Sequence, residues 1–468
     1  MATSPAPETD TIAAIATAAG PAGVGVLRVS GPGAFTVADR MLRRKTQNPV
    51  AAQEGHTLRR ATVYEPQTGE PVDDGLLAVF HAPRSFTGED VVEFQGHGGT
   101  VTLNRVLAAA LRAGARAARP GEFSERAFRN GKLDLAQAEA IADLISAGTV
   151  AAQRAARRQL SGELSGAVLA VRDAIFEALA LIEATIDFPE EVGEIEPERL
   201  DAPLARAAAR IESLLATAAY GRRLREGITV VLTGRPNVGK SSLLNALSGT
   251  QRAIVTDIPG TTRDIVEEQL QLGGIPVRAL DTAGLRETTD PVERIGVERA
   301  RQAVRDADVA IVILDATAGL TDDDRHFLHT LPDGPPAVIA INKADTAAVA
   351  PLVEAVRLWV DVGIPVLGVS AVTGVGLAAL TEAVAQTVSG SALPSEAVPL
   401  VTTARHENAL RAAAESLHRA RNTITAGLPP ELIAVDSHAA LASLGEITGE
   451  TTREEIIAGI FSRFCIGK

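Results

Sequence analysis

At 468 residues the chain is too long for one ordinary core and long enough for two to four domains. Hydrophobic residues make up 46% of it and aromatic ones 3%, so Ala and Leu must fill much of the interior, which favours helices over β-sandwiches. The net charge of -13 excludes binding to nucleic acid by bulk charge; RNA could be touched only through a local patch or with a partner's help.

Met1 to Asp10 carries acids and prolines without a basic n-region, and no apolar run along the chain reaches transmembrane length. A cytoplasmic chain with no membrane contact is expected. Up to about residue 130 the sequence is rich in Gly and Val, with strand-like runs at Val24–Val29 and Leu76–Phe80. Helical texture begins near 131. Leu160, Leu164, Val168, Val171, Ile175, Leu179, Ile182 and Ile186 step by three or four and predict one long amphipathic helix, which Pro189 ends. A second helical stretch is expected from Pro197 to Arg225. From Gly227, short apolar runs (Ile228–Thr233, Val277–Leu280, Val309–Leu314, Ala337–Asn342, Val366–Ser370) alternate with helical segments, the pattern of a doubly wound α/β domain. A linker-like stretch begins at Ser389, and helical texture then returns. The predicted architecture is an α/β domain (226–389) inserted in a helical domain (131–225 and 390–468), preceded by a domain over 1–130.

Gly234-Arg-Pro-Asn-Val-Gly-Lys-Ser241 matches the phosphate-binding pattern G-x-x-x-x-G-K-[ST] between a predicted strand and a predicted helix. Glycines let backbone N–H groups surround phosphate oxygens, and the helix N-terminus adds its dipole. Lys240 is expected to reach the β and γ phosphates, and Ser241, followed by Ser242, to ligate Mg²⁺. Thr262, in Thr256-Asp257-Ile258-Pro259-Gly260-Thr261-Thr262, is the natural switch threonine for the same ion. Asp281-Thr282-Ala283-Gly284 closes a strand, with Asp281 on the Mg²⁺ water shell and the Gly284 N–H on the γ phosphate. Asn342-Lys343-Ala344-Asp345 closes another, and Asp345 can accept from both guanine N1–H and N2–H, which adenine cannot supply. Ser370-Ala371-Val372 would support guanine O6. The expected substrate is therefore GTP, and the expected activity its hydrolysis.

Two features depart from the best-known small GTPases. Leu285 follows the Asp-Thr-Ala-Gly motif where a water-orienting glutamine is usual, which turns attention to Arg286, Glu287, Glu293 and Arg294 downstream. Asn237 lies inside the P-loop, where its amide oxygen could coordinate a monovalent cation.

Beyond these motifs the sequence contains Gly25-Val-Leu-Arg-Val-Ser-Gly31, Ser85-Phe-Thr-Gly-Glu-Asp-Val-Val-Glu93, Gly96-His-Gly-Gly99, Arg119-Pro-Gly-Glu-Phe-Ser-Glu-Arg-Ala-Phe128, Lys132-Leu-Asp-Leu-Ala-Gln-Ala-Glu-Ala-Ile-Ala-Asp143 and the ending Phe464-Cys-Ile-Gly-Lys468. With them, nearly the whole chain resembles the tRNA-modification GTPase MnmE (TrmE) family. That resemblance implies a small α+β N-terminal domain for homodimerisation and for binding a tetrahydrofolate derivative (5,10-methylene or 5-formyl form). It implies a flavin-dependent MnmG-like partner in a heterotetramer. The joint product would be an aminomethyl or carboxymethylaminomethyl group on C5 of the wobble uridine of certain tRNAs. It further implies K⁺ held by Asn237, Thr256, Ile258 and Thr261, GTP hydrolysis activated by dimerisation of the GTPase domains, and Glu293 as the catalytic glutamate. Arg28, Glu93, Lys132 and Lys468 match the folate-site positions; on the residues alone each reads as a surface charge.

Cys465, the single cysteine, excludes an intramolecular disulfide and fits a reducing compartment. It carries two readings, a small buried hydrophobe or a reactive thiol beside the folate site. His97 has no partner cluster and reads as structural. The alternative function is a ribosome-assembly GTPase. Such a protein would more often carry a KH-type or basic RNA domain, and none is visible.

Overall fold

The computed structural model describes residues 10–43, 49–193, 195–250, 267–281, 307–329, 331, 334–389 and 398–468. They divide into two compact units, one running to Ala142 and including Gly445–Lys468, the other spanning Asp143–Leu444.

The first unit is built on a six-stranded sheet of β1 (Ile12–Ile15), β2 (Ala22–Ser30), β3 (Thr57–Tyr64), β4 (Pro71–Phe80), β5 (Val91–Gly98) and β6 (Arg116–Ala117), ordered β3-β4-β5-β2-β1-β6. Neighbours are antiparallel except for β6, which runs parallel to β1. Period-two alternation puts Leu27, Val29, Leu77, Val79, Val92 and Phe94 on one face, where Val37 and Met41 of the helix Ala34–Met41 and Val106 and Ala110 of the helix Thr100–Arg112 cover them. The two strand runs read from the sequence are the inner part of β2 and the C-terminal half of β4. A smaller core joins Leu135 and Ala138 to Ile457, Phe461 and Phe464, from the helix Glu454–Phe461 and the residues after it.

In the second unit the predicted long helix is Glu163–Asp187, and only Leu160, the first member of its stripe, lies in the helix before it. Helix Val150–Leu160 ends at Ser161, and helix Glu163–Asp187 begins after Gly162, whose φ of +88° turns the chain. The apolar stripe continues across this turn, so periodicity alone did not reveal it. From Leu164 to Ile182 its members are buried. They pack against helix Pro197–Leu215, which also packs on helix Ala404–Thr425. Arg421 grips Asp201 through both carboxylate oxygens, at 2.6 and 3.0 Å.

Between these helices the chain folds into an α/β domain. Its strands are β7 (Ile228–Thr233), β8 (Glu267–Leu272), β9 (Ile275–Asp281), β10 (Val309–Asp315), β11 (Ala337–Asn342) and β12 (Val366–Gly368), ordered β12-β11-β10-β7-β9-β8. All neighbours are parallel except β8, which is antiparallel to β9. Val230, Leu232, Ile311 and Ile313 face Leu243, Leu247, Leu380 and Val384, while Val231, Ala310, Val312 and Leu314 face Leu328, Leu352 and Val356. Helices cover both faces, which is why these strands read as continuous apolar runs. Strand order reverses between β7 and β10, and in such sheets ligands bind in the crevice at the carboxyl ends beside that reversal.

Candidate functional site

The P-loop occupies this crevice. β7 leads into Gly234–Gly239, and the helix Lys240–Thr250 follows directly. Asn237 is exposed and holds φ at +65°, a left-handed conformation that asparagine tolerates better than most residues. Val238 is buried beneath the loop. Gly239 has φ +97°, and a Cβ there would lie 2.3 Å from Asn342 Nδ2, so only glycine fits. Lys240 is buried, and its ammonium donates to Gly234 O at 2.8 Å and Arg235 O at 2.9 Å. Ser241 and Ser242 occupy the first helical turn on its exposed side. These residues fit a phosphate-bearing ligand: a loop free of Cβ atoms at its tightest approach, a helix N-terminus and a positioned ammonium. Ser241 supplies a hydroxyl oxygen suited to Mg²⁺.

At the adjacent strand end, Asn342 is 2% exposed and acts as a clasp. Its Nδ2 donates to Val238 O at 2.9 Å, and its Oδ1 accepts from Lys343 N at 2.8 Å and Ala371 N at 3.2 Å. One side chain thus ties the P-loop to the loops that follow β11 and β12. Ala344 N donates to Val369 O. Asp345 is exposed, and its Oδ1 is oriented by the hydroxyl of buried Ser370 at 2.6 Å. Val372 is 86% exposed beyond this contact. Lys343 Nζ lies 2.5 Å from Asp315 Oδ2. Burial pushes the Asp315 carboxyl up, but the Lys343 ammonium and two hydrogen bonds from Thr317 outweigh it and hold it below its ordinary value. Asp281 ends β9 in register with Leu232, immediately before the P-loop.

In the first unit, Arg28 and Glu93 form a cross-strand pair on β2 and β5, with Arg28 Nε 2.7 Å from Glu93 Oε1. The rings of Phe86 and Phe123 flank the Arg28 guanidinium at 5.5 and 5.6 Å. Lys132 Nζ donates to Pro83 O at 3.0 Å, at the start of the segment that carries Phe86. The C-terminus closes on β1: a Cβ on Gly467 would lie 2.4 Å from Ile15 O, and Ala14, the residue before Ile15, pairs with Arg28. Lys468 therefore ends near the strands that carry the Arg28–Glu93 pair. Cys465 is exposed, which removes its reading as a buried hydrophobe. The His97 ring lies 2.7 Å from Asp73 Oδ1, which raises its pKa, and among the described residues no cluster of His, Cys, Asp and Glu could hold a metal.

An ion-pair network braces the Ser85–Glu89 segment. Ser30 Oγ donates to Glu89 Oε2, and Arg126 contacts Glu89, Asp10 and Glu122. Arg116 adds a bidentate grip on Glu122 at 2.6 and 3.0 Å. Burial pushes the Glu122 carboxyl up, but Arg116, the Arg119 N–H and Arg126 together bring it down to about 2. Sequence reasoning quoted Ser30, Glu89, Glu122 and Arg126 only as parts of shared motifs, left Asp10 and Arg116 without a role, and missed the network they form. It also missed Arg235 and Asp324, an ion pair between the P-loop and the helix Asp322–His329. Thr256 to Thr262, Thr282 to Gly284, Leu285, Arg286, Glu287, Glu293 and Arg294 lie outside the described residues.

Comparison with known proteins adds an independent line. Residues 135–465 match the family model "MnmE helical domain", and residues 11–132 match "GTP-binding protein TrmE N-terminus". A curated relative from Symbiobacterium thermophilum, named tRNA modification GTPase MnmE, is 49% identical over 460 residues, covering 98% of this chain and 99% of its own. Relatives of the same name from Heliobacterium modesticaldum and Chloroflexus aurantiacus are each 48% identical, covering 98% of this chain and 99% and 100% of their own.

Proposed function

This chain belongs to the tRNA modification GTPase MnmE family, a GTP hydrolase that takes part in tRNA modification, and we propose in finer detail how its residues perform that work. The supporting observation is the Asn342 clasp, which gathers the P-loop, Asp345 and Ser370–Ala371 at one strand end. Asp345 accepts from guanine, Lys240 turns from its carbonyl shelf toward the phosphates, and the P-loop N–H groups surround them. Ser241 and Thr262 hold Mg²⁺; Asn237, Thr256, Ile258 and Thr261 hold K⁺. When bound, the two ions supply positive charge against the phosphate oxygens. Leu285 cannot orient water, and Glu293 takes that task through hydrogen bonding.

We further propose that the chain is a cytoplasmic homodimer working with a flavin-dependent MnmG-like protein on C5 of the tRNA wobble uridine, with a tetrahydrofolate derivative held by the first unit. Among the described residues no helix is long and apolar enough to cross a membrane. The paired side chains of Arg28 and Glu93 sharpen the folate reading. Joined at 2.7 Å, they would meet the same end of the ligand, so Arg28 supports Glu93 at the pterin, and Lys132 and Lys468 are left for the glutamyl tail. Cys465, exposed near the same end of the chain, is proposed to act beside the folate and the uridine.

Hydrolysis by the purified chain is expected to run roughly 10²-fold faster in K⁺ than in Na⁺, the scale of one well-placed electrostatic group. Equal rates would remove the role given to Asn237. In the same assay Glu293→Ala should bind GTP normally and turn it over little; full turnover would end that assignment.

A further inference from the structure

Asp324, on the first turn of the helix Asp322–His329, is 2% exposed although it carries a charge. Both of its carboxylate oxygens are engaged. Oδ2 accepts from Thr321 N at 3.1 Å and Thr321 Oγ1 at 2.8 Å, and Oδ1 accepts from Arg235 Nε at 2.8 Å. Arg235 is the second residue of the P-loop, 89 positions away. Its Nη2 is buried and makes no hydrogen bond to a described residue. The Arg235 backbone oxygen receives the Lys240 ammonium at 2.9 Å. A buried carboxylate on the helix Asp322–His329 is thus linked through one arginine to the shelf on which the lysine of the P-loop rests.

We propose that Asp324 is a positioning residue for the P-loop: by holding the Arg235 side chain it fixes the carbonyl shelf of Lys240 and so aligns that lysine for the phosphates. This rests on the GTPase reading above. A charge-assisted hydrogen bond is worth about 1.5–3 kcal/mol, which corresponds to about 10- to 150-fold in an equilibrium or a rate. Asn at position 324 can still accept from Thr321 but offers Arg235 no charge.

The test uses the full chain, Mg²⁺·GDP as ligand and Mg²⁺·GTP turnover. Asp324→Asn is expected to release GDP at least tenfold faster and to lower kcat at least tenfold, with a thermal transition close to that of the parent. Arg235→Gln should show the same losses. The double variant should be no worse than the poorer single one, because both substitutions break one link. It also keeps the test open should a single variant fold poorly, since it leaves no buried charge unpaired. Parental GDP release and kcat in Asp324→Asn would overturn the proposal. So would losses that multiply in the double variant, or losses that vanish when the assay is cooled, which would mark simple destabilisation. Failure of the parent chain itself to bind GDP would overturn the GTPase reading and this inference with it.

Discussion

Asp345→Asn should weaken GTP binding by about 10²- to 10⁴-fold and shift preference to xanthosine triphosphate. The carboxylate is oriented by the Ser370 hydroxyl at Oδ1, and Ser370 is itself fully buried, so the group stands ready before a ligand arrives. Guanine offers two N–H donors on the edge that Asp345 would read. Each hydrogen bond to a charged acceptor is worth about 1.5–3 kcal/mol, and losing two gives the range stated. An asparagine can present an N–H where guanine also presents one, which is repulsive, whereas xanthine presents a carbonyl oxygen there. Competition binding of the two nucleotides to the parent and variant chains measures both halves of the prediction. Unchanged GTP affinity would remove Asp345 from base recognition.

The second large effect lies in the first unit. The Arg126 side chain is 4% exposed and faces Glu122, which is fully buried, as well as Glu89 and Asp10. Arg126→Met would leave buried carboxylate charge with only Arg116 and Arg119 nearby. Breaking a buried pair in this way costs about 3–5 kcal/mol. The pH dependence follows from Glu122, whose folded pKa of about 2 lies below its ordinary value of 4.5. A depressed folded pKa contributes stability that is fully present above about pH 4.5 and is lost as pH falls toward 2. In Arg126→Met the acid transition should therefore begin at higher pH than in the parent. Trp359, the chain's one tryptophan, belongs to the other unit, so amide hydrogen exchange at β1 and in Glu122–Arg129 is the direct readout. Parental exchange at neutral pH and an unmoved acid transition would show that the network is not what braces this unit. Because Glu89 ends the segment that carries Phe86 over Arg28, the same variant should loosen the proposed folate site.

The proposed nucleotide site is legible in the sequence because phosphate chemistry imposes local rules. A loop that cradles phosphate needs Gly239, Lys240 and Ser241 at fixed spacing, and a guanine reader needs Asp345 after Asn342 at a strand end. The buried parallel strands were legible for a similar reason, since helices on both faces demand continuous apolar runs. What the sequence concealed is long-range. Arg235 and Asp324 are ordinary charges until the fold places them 2.8 Å apart. Arg129 and Glu454 are 325 positions apart and still form an ion pair within one unit. β1 and β6 were hard to read because they span only four and two residues, β3 because it is mostly unburied, and β5 because it contains glycines. The break at Gly162 was hidden by a stripe that keeps its phase through the turn.

Whether this GTPase serves tRNA modification is decided by nucleoside mass analysis of tRNA from a strain lacking the chain. The C5 group should be lost from wobble uridines and be restored by the parent chain but not by Lys240→Ala. Wobble uridines that keep their full modification without the chain would contradict that role.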